Sequence, residues 1–310
     1  MRNKRAVVTG GAGFIGSHLV DALIERGYVV EVIDNLSAGK RERVHKDAIL
    51  HVADIRDEHA IAPIIARADY VFHLAALPRV QYSIDFPKET NDVNVNGTLN
   101  VFLAAKEGGV KKVIYSASSS AYGNQETLPL HEELPAAPVS PYGLHKYIGE
   151  HVARVFSEVY GLPTVSLRYF NVYGPGLDPE GPYALVIGKF LKSRSEGVPL
   201  TITGDGEQTR DFTHVRDIVR ANILAAENEG IVKGEVFNIG SGQNISINAL
   251  AALFGGNVEY VAPRIEPKHT RGQCKSKSRI GMGADCCHSS RNYRALAGME
   301  NLDHDKGNVA

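Results

Sequence analysis

Residues 6–18, Ala-Val-Val-Thr-Gly-Gly-Ala-Gly-Phe-Ile-Gly-Ser-His, constrain this chain more than any other stretch. Val7, Val8 and Thr9 form a β-branched run that predicts a buried strand. Gly10, Gly13 and Gly16 follow at intervals of three. Residues 18–24 then carry helical apolar spacing, and Gly27 stops the helix. A strand that passes through a glycine turn into a helix lets the backbone come close to a phosphate, because no Cβ stands in the way. The helix N-terminus also turns its free N–H groups toward a pyrophosphate. A glycine triplet alone is weak evidence, but here a second strand, residues 29–33, follows at once and ends on Asp34, 18 residues after Gly16. That is near the spacing of about 20 residues expected of a carboxylate that takes ribose hydroxyls. The pattern predicts dinucleotide binding, and Asp34 favours NAD over NADP because a carboxylate repels a 2′-phosphate.

Further strands are expected at 49–53, 70–74, 113–116 and 164–168, and helices at 58–67, 93–107 and 142–160. Pro63 is expected to shorten or kink the first of these helices, and Gly108-Gly109 to end the second. A short polar helix is expected after Lys40, and a surface segment near the site over 78–91. Strands alternating with helices predict an α/β fold, a doubly wound parallel sheet of the Rossmann kind, over residues 1–170. Beyond Phe170 the texture changes: Gly174, Pro175, Gly176, Pro179, Gly181 and Pro182 make a loop-rich stretch. A strand at 200–202, a Gly204-Asp205-Gly206 turn, a strand at 236–240 and a helix at 247–254 follow. The expected organisation is an NAD-binding domain over 1–170 to which 211–241 return, a smaller C-terminal substrate lobe over 171–270, and an atypical tail over 271–310.

A net charge of −1 gives no electrostatic case for nucleic acid or an anionic membrane surface. No run approaches the roughly 18 apolar residues of a membrane span. The start of the chain runs from Arg2-Asn3-Lys4-Arg5 straight into the first strand, which leaves no room for a signal peptide, so a cytoplasmic protein is expected. Cys274, Cys286 and Cys287, the last beside His288, match no standard zinc spacing, and no metal is expected.

Tyr142 and Lys146 stand four apart in an expected helix and so share a face. An ammonium beside a phenol favours the phenolate and lowers the pKa from about 10, which makes a base that works near neutral pH. The run from Ser116 to Ser120 ends the fifth strand, and in open α/β sheets ligands bind at the carboxyl ends of strands. A hydroxyl there can hydrogen-bond a substrate oxygen and pass its proton to the base.

Together with Asp54-Ile55, His73-Leu74-Ala75-Ala76, Asn94-Val95-Asn96-Gly97-Thr98, Arg168-Tyr169-Phe170-Asn171 and Arg210-Asp211-Phe212-Thr213-His214-Val215, these pieces give the chain a resemblance. Over roughly residues 5–270 it resembles the extended short-chain dehydrogenases/reductases, and within them the nucleotide-sugar 4-epimerases of the UDP-glucose type. The resemblance implies an NAD-dependent isomerase that oxidises a UDP-sugar at carbon 4 and reduces the 4-keto sugar on its other face. It implies Tyr142 as acid/base, Lys146 as its electrostatic and ribose-binding partner, and Ser118 as the substrate-hydroxyl residue. Asp34, Asp54 and Ile55 would hold the adenosine half of NAD. Gly10, Gly13, Phe14, Ile15, Gly16, Asn35, Leu74, Ala75, Ala76, Asn94, Ser116 and Tyr169 would complete the cofactor site. Asn171, Arg210 and Arg264 would bind the diphosphate, where a planar guanidinium suits phosphate oxygens. Thr270 would leave room for an N-acetyl group, and the 78–91 region resembles members that act on UDP-N-acetylhexosamines. A homodimer is implied, paired through the helices at 96–106 and 142–160.

Other activities sit on the same fold. The 4,6-dehydratases carry an Asp-Glu pair just after the Ser118 position, where this chain has Ser119-Ser120, so water elimination would lack its proton donor. The UDP-glucuronate decarboxylases carry a glutamate at Ser120, and that reading ranks second, with a UDP-glucuronate 4-epimerase beside it. A non-catalytic NAD-sensing regulator is the alternative outside enzymes, and the retained tyrosine and lysine argue against it. From Gly272 the chain departs from the family, with Gln273 where members carry an acid. A change of translation frame, divergence and a disordered end all account for the departure.

Overall fold

A computed structural model describes residues 3–178 and 186–262. The first half alternates β1 (Arg5–Thr9), α1 (Phe14–Glu25), β2 (Val29–Asp34), β3 (Ile49–Val52), α2 (Glu58–Ile65) and β4 (Tyr70–His73). It continues through α3 (Val80–Asp85), α4 (Pro87–Asn91), α5 (Thr98–Glu107), β5 (Lys112–Ser118), α6 (Pro141–Tyr160) and β6 (Thr164–Tyr169). The second half holds β7 (Val172–Tyr173), α7 (Val186–Glu196), β8 (Leu200–Thr203), β9 (Thr209–Arg210), β10 (Thr213–His214) and α8 (Val215–Glu227). It closes with β11 (Glu235–Ile239), β12 (Ile245–Ser246), α9 (Ile247–Phe254) and β13 (Val258–Val261).

Seven strands form one sheet in the order β11-β6-β5-β4-β1-β2-β3, parallel throughout. Apolar strand residues are covered from both sides, as parallel sheets require. On one face Leu19 and Leu23 of α1 meet Ile218 and Ile223 of α8 over Val8, Val32 and Leu167. On the other, Ile61 and Ile65 of α2, Phe102 of α5 and Phe156 of α6 cover Val7, Val71 and Val113. Strand order reverses between β1 and β4, where Thr9 lies opposite His73. A crevice opens there at the carboxyl ends of the strands.

The late strand, expected at 236–240, joins this sheet as β11 beside β6. The smaller lobe gathers Phe190 of α7, Leu200 and Ile202 of β8, and Leu250 and Phe254 of α9 into a separate core. Its β8 pairs with β13, a strand that sequence pattern does not reveal.

Three elements differ from expectation. The polar helix after Lys40 is a single tight turn, Arg41–Arg43. The helix expected over 93–107 begins with a wide π turn, Asp92–Gly97, where the Thr98 hydroxyl donates back to the Asn94 carbonyl at 2.7 Å. Residues 78–91 are two short helices, ordered because Ser83 and Thr90 are buried and bond back to their own helices. The helix over 142–160 forms as expected: Ser140 caps it by accepting from Gly143 N–H, Pro141 opens it and Gly161 closes it at φ 69°.

Candidate active site

The glycine turn makes a cradle that side chains would fill. Gly10 sits at φ +73°, and a Cβ there would stand 2.7 Å from the Ala75 nitrogen. A Cβ on Gly16 would lie 2.1 Å from the Gly10 carbonyl oxygen, so α1 can pack on the turn only with glycine at this position. Gly13 is the N-cap of α1 and caps no amide with a side chain. The amides of Phe14, Ile15 and Gly16 therefore stand at a positive helix end. Asp34 is buried, and its two carboxylate oxygens accept from Ala12 N–H (3.0 Å) and Leu36 N–H (2.8 Å). Each oxygen keeps a lone pair for a hydroxyl. The donor set and the cradle fit a dinucleotide with free ribose hydroxyls.

Asp54 accepts from Asn35 at 2.8 Å and from Arg56 at 2.9 Å and 3.0 Å. The Arg56 guanidinium holds the Asp54 carboxyl down at about 2. Ile55 is buried against Gly97, and Asn100 donates to the carbonyls of Ile55 and Arg56, so α5 grips the loop after β3. On the opposite side His18 meets the Pro175 carbonyl at 2.8 Å and stacks edge-on against Phe14, which brings the loop after β7 over the start of α1.

His73, at the end of β4, is fully buried between two threonines. Its Nδ1 lies 2.7 Å from the Thr9 hydroxyl and its Nε2 2.9 Å from the Thr98 hydroxyl. Thr98 spends its proton on the Asn94 carbonyl, so Nε2 must donate and Nδ1 must accept from Thr9. Burial and the neighbouring Lys146 charge push the imidazole down to about 3 and keep it neutral. Beyond it, Asn94 accepts from Leu77 N–H (2.8 Å) and donates to the Leu77 carbonyl (3.1 Å). That double bond fixes the segment Leu74-Ala75-Ala76 beside Gly10.

Tyr142 stands in the first turn of α6, after Pro141. Burial pushes its phenol above the ordinary value, while a hydrogen bond with Ser118 and the positive charge of Arg79 pull it back. Lys146, one turn on, is buried and donates to the Ser116 carbonyl at 2.7 Å; burial brings its ammonium down to about 8, against the pull of Glu150. Ser116 and Tyr169 stand behind it on β5 and β6. Their hydroxyls lie 2.9 Å apart, and Tyr169 is held by Asn222 of α8, inside the core.

Asn171 donates to the Asp211 carbonyl at 2.9 Å, and Asp211 accepts from Ser241 and Gly242, so the loops after β6, β9 and β11 are tied together. Arg210 is buried beside them. Arg264, Thr270, the three cysteines and the tail lie outside the described residues, as do Pro179, Gly181 and Pro182. Sequence reasoning gave no role to Glu150, which binds Arg168 through two bonds of 2.8 Å and 2.7 Å in the core behind Lys146. Its spacing of four from Lys146 was the available signal. Arg79, within the segment over 78–91, carries no local signal of its own.

The sequence matches the model of the NAD dependent epimerase/dehydratase family over residues 6–240. The chain belongs to this family. Among relatives, a UDP-glucose 4-epimerase of Mycolicibacterium smegmatis (strain ATCC 700084 / mc(2)155) is 37% identical over 274 residues, which cover 84% of this chain and 87% of the relative. A UDP-N-acetyl-alpha-D-glucosaminuronate decarboxylase of Bacillus cytotoxicus is 38% identical over 258 residues, 80% of this chain and 78% of that one. The solved structure of a UDP-N-acetylglucosamine 4-epimerase from Methanobrevibacter ruminantium M1, in complex with UDP-N-acetylmuramic acid, superposes with a TM-score of 0.90 at 38% identity. That superposition covers 98% of this chain and 100% of the other. This member of the NAD-dependent epimerase/dehydratase family is thus an NAD-using enzyme on a parallel α/β sheet. Among its described residues no helix is long and apolar enough to cross a membrane.

Proposed function

We propose that the protein interconverts a UDP-sugar and its C4 epimer. The observation that carries this reading is the Tyr142 phenol close to Ser118 at the carboxyl end of β5, in the sheet whose strand switch point holds the glycine cradle. NAD, when bound, takes up a hydride from carbon 4 and returns it. In this reading Ser118 orients the 4-hydroxyl and the Tyr142 Oη receives its proton. On reduction Oη gives the proton back to the new 4-hydroxyl. Lys146, which donates to the Ser116 carbonyl, would hold the ribose of the cofactor, Gly10, Gly13 and Gly16 would take the pyrophosphate, and Asp34 and Asp54 the adenosine half. Asn171, Arg210 and Arg264 would take the UDP diphosphate, and Thr270 would line the pocket at the sugar's carbon 2. A homodimer joined through α5 and α6 belongs to the same proposal.

The test is a coupled assay with UDP-N-acetylglucosamine, UDP-glucose and UDP-glucuronate in parallel and no added NAD. Formation of a C4 epimer supports the reading and identifies the sugar. The similarity to a decarboxylase favours a second reading, a UDP-uronate decarboxylase. Carbon dioxide release from a UDP-uronate, without epimer, would replace the first reading with the second. Ser119-Ser120, which offer no carboxylate after Ser118, weigh against it.

A further inference from the structure

Lys146 is 5% exposed, and two consecutive residues of β5 meet its buried ammonium. The Nζ donates to the Ser116 carbonyl at 2.7 Å and lies over the ring of Tyr115, 5.1 Å from the ring centre. A buried ammonium has lost its water, so the negative face of an aromatic ring attracts it more strongly than at the surface. The ring is itself fixed on three sides. Its hydroxyl lies against Gly149, where a Cβ would stand 2.1 Å from that oxygen. The His73 imidazole lies beside it with ring centres 5.7 Å apart and planes 38° apart, and Phe102 meets it edge-on at 6.2 Å. His73 is in turn pinned between the hydroxyls of Thr9 and Thr98. The ring is therefore a platform built into β5, unable to follow the lysine if the lysine moves.

We propose that Tyr115 is a positioning residue: the face of its ring holds the Lys146 ammonium in place, and in its charged form, for the cofactor. The inference rests on the reading in which Lys146 would hold the ribose. An ammonium has three N–H donors; the Ser116 carbonyl accepts one, and a ring attracts the charge without needing a second. Donors thus remain for the hydroxyls of a ligand while the cation stays held. The other titratable groups around the ammonium are Tyr142 one turn before it, Glu150 one turn after it and His73 on β4. His73 is neutral, and Glu150 gives both carboxylate oxygens to Arg168 at 2.8 Å and 2.7 Å.

The test varies the electron density of the ring at nearly constant shape. Tyr115→Phe, which keeps the ring and loses the hydroxyl, is the reference, and phenylalanines with one, two and three ring fluorines are placed at position 115 of the full chain by nonsense suppression. Fluorine draws density from the ring face and weakens its hold on a cation. Exchange of bound NAD with labelled NAD should speed up at each step, by about tenfold at three fluorines. The same series built on Lys146→Met should be level. The Lys146 titration, read from the 15N resonance of Nζ and assigned against Lys146→Met, should fall along the series by about one unit, because a weaker ring favours the charged form less. Circular dichroism checks the fold. A stepwise change in both readouts that vanishes without Lys146 supports the proposal. A Lys146 titration that stays level along a folded series overturns it, as does a level NAD exchange where Lys146→Met exchanges faster than the parent. If Lys146→Met holds NAD as long as the parent, the ribose reading fails instead, and the titration alone decides whether the ring holds the ammonium.

Discussion

At the scale of single residues, what each side chain can do is set by its immediate neighbours. Tyr142 and Lys146 stand one turn apart on α6: the ammonium donates to the Ser116 carbonyl, while Ser118 and the Arg79 charge pull the phenol down against the effect of burial. Tyr142→Phe removes the one oxygen in this group suited to exchange a proton with a sugar hydroxyl. General acid–base groups contribute about 10²–10⁴-fold, so kcat should fall by that factor while bound NAD is retained, measured by turnover and by cofactor content after denaturation. Equal kcat in the variant would move the base elsewhere. Motif spacing made Tyr142, Lys146 and Ser118 legible. Arg79 was not legible, because its charge acts on the phenol from an element distant in sequence.

At the scale of elements, α6 must come close to β5 for the tyrosine and lysine to reach the strand end. Gly149 permits this: a Cβ there would sit 2.1 Å from the Tyr115 hydroxyl oxygen. Gly149→Ala should cost about 1–3 kcal/mol by overpacking, with kcat reduced through displacement of Lys146 and Tyr142. Urea denaturation and turnover together check this, and an unchanged midpoint would mean that Tyr115 moves aside freely. The π turn at Asp92–Gly97 works in the same way, turning Asn94 toward Leu77. Apolar periodicity predicts a helix there but not its width, since the turn is widened by a side-chain bond that periodicity does not encode.

At the scale of the whole molecule, two properties follow. The first is pH dependence. His73 is held neutral in the fold at about 3, against an ordinary value of 6.5 in the unfolded chain. Between those values the unfolded state binds the extra proton, so stability rises with pH and is lost on acidification from about 6.5 toward 3. Denaturation midpoints across that range should fall more steeply for the parent than for His73→Gln, which starts lower. Parallel curves would deny the histidine this role. The second is assembly. Leu144, Val155 and Val159 are exposed along one stripe of α6, beside exposed Leu99 of α5. If these helices join two copies, Val155→Glu should convert a dimer into a monomer by light scattering. A dimer that persists would place the interface on another face.

The sequence by itself determined the parallel α/β sheet, the glycine cradle with Asp34, and the Tyr142, Lys146 and Ser118 trio. Each is a local pattern: alternating strand and helix periods, glycines where a Cβ cannot stand, and residues one helical turn apart. Tertiary structure alone decided which charge meets which partner. Lys146 goes to the Ser116 carbonyl, Tyr169 to Asn222, and His73 between Thr9 and Thr98. These partners lie on strands and helices distant in sequence. Burial removes water as an alternative partner, so each polar group must bond to whichever group the packing of the sheet and its helices brings beside it.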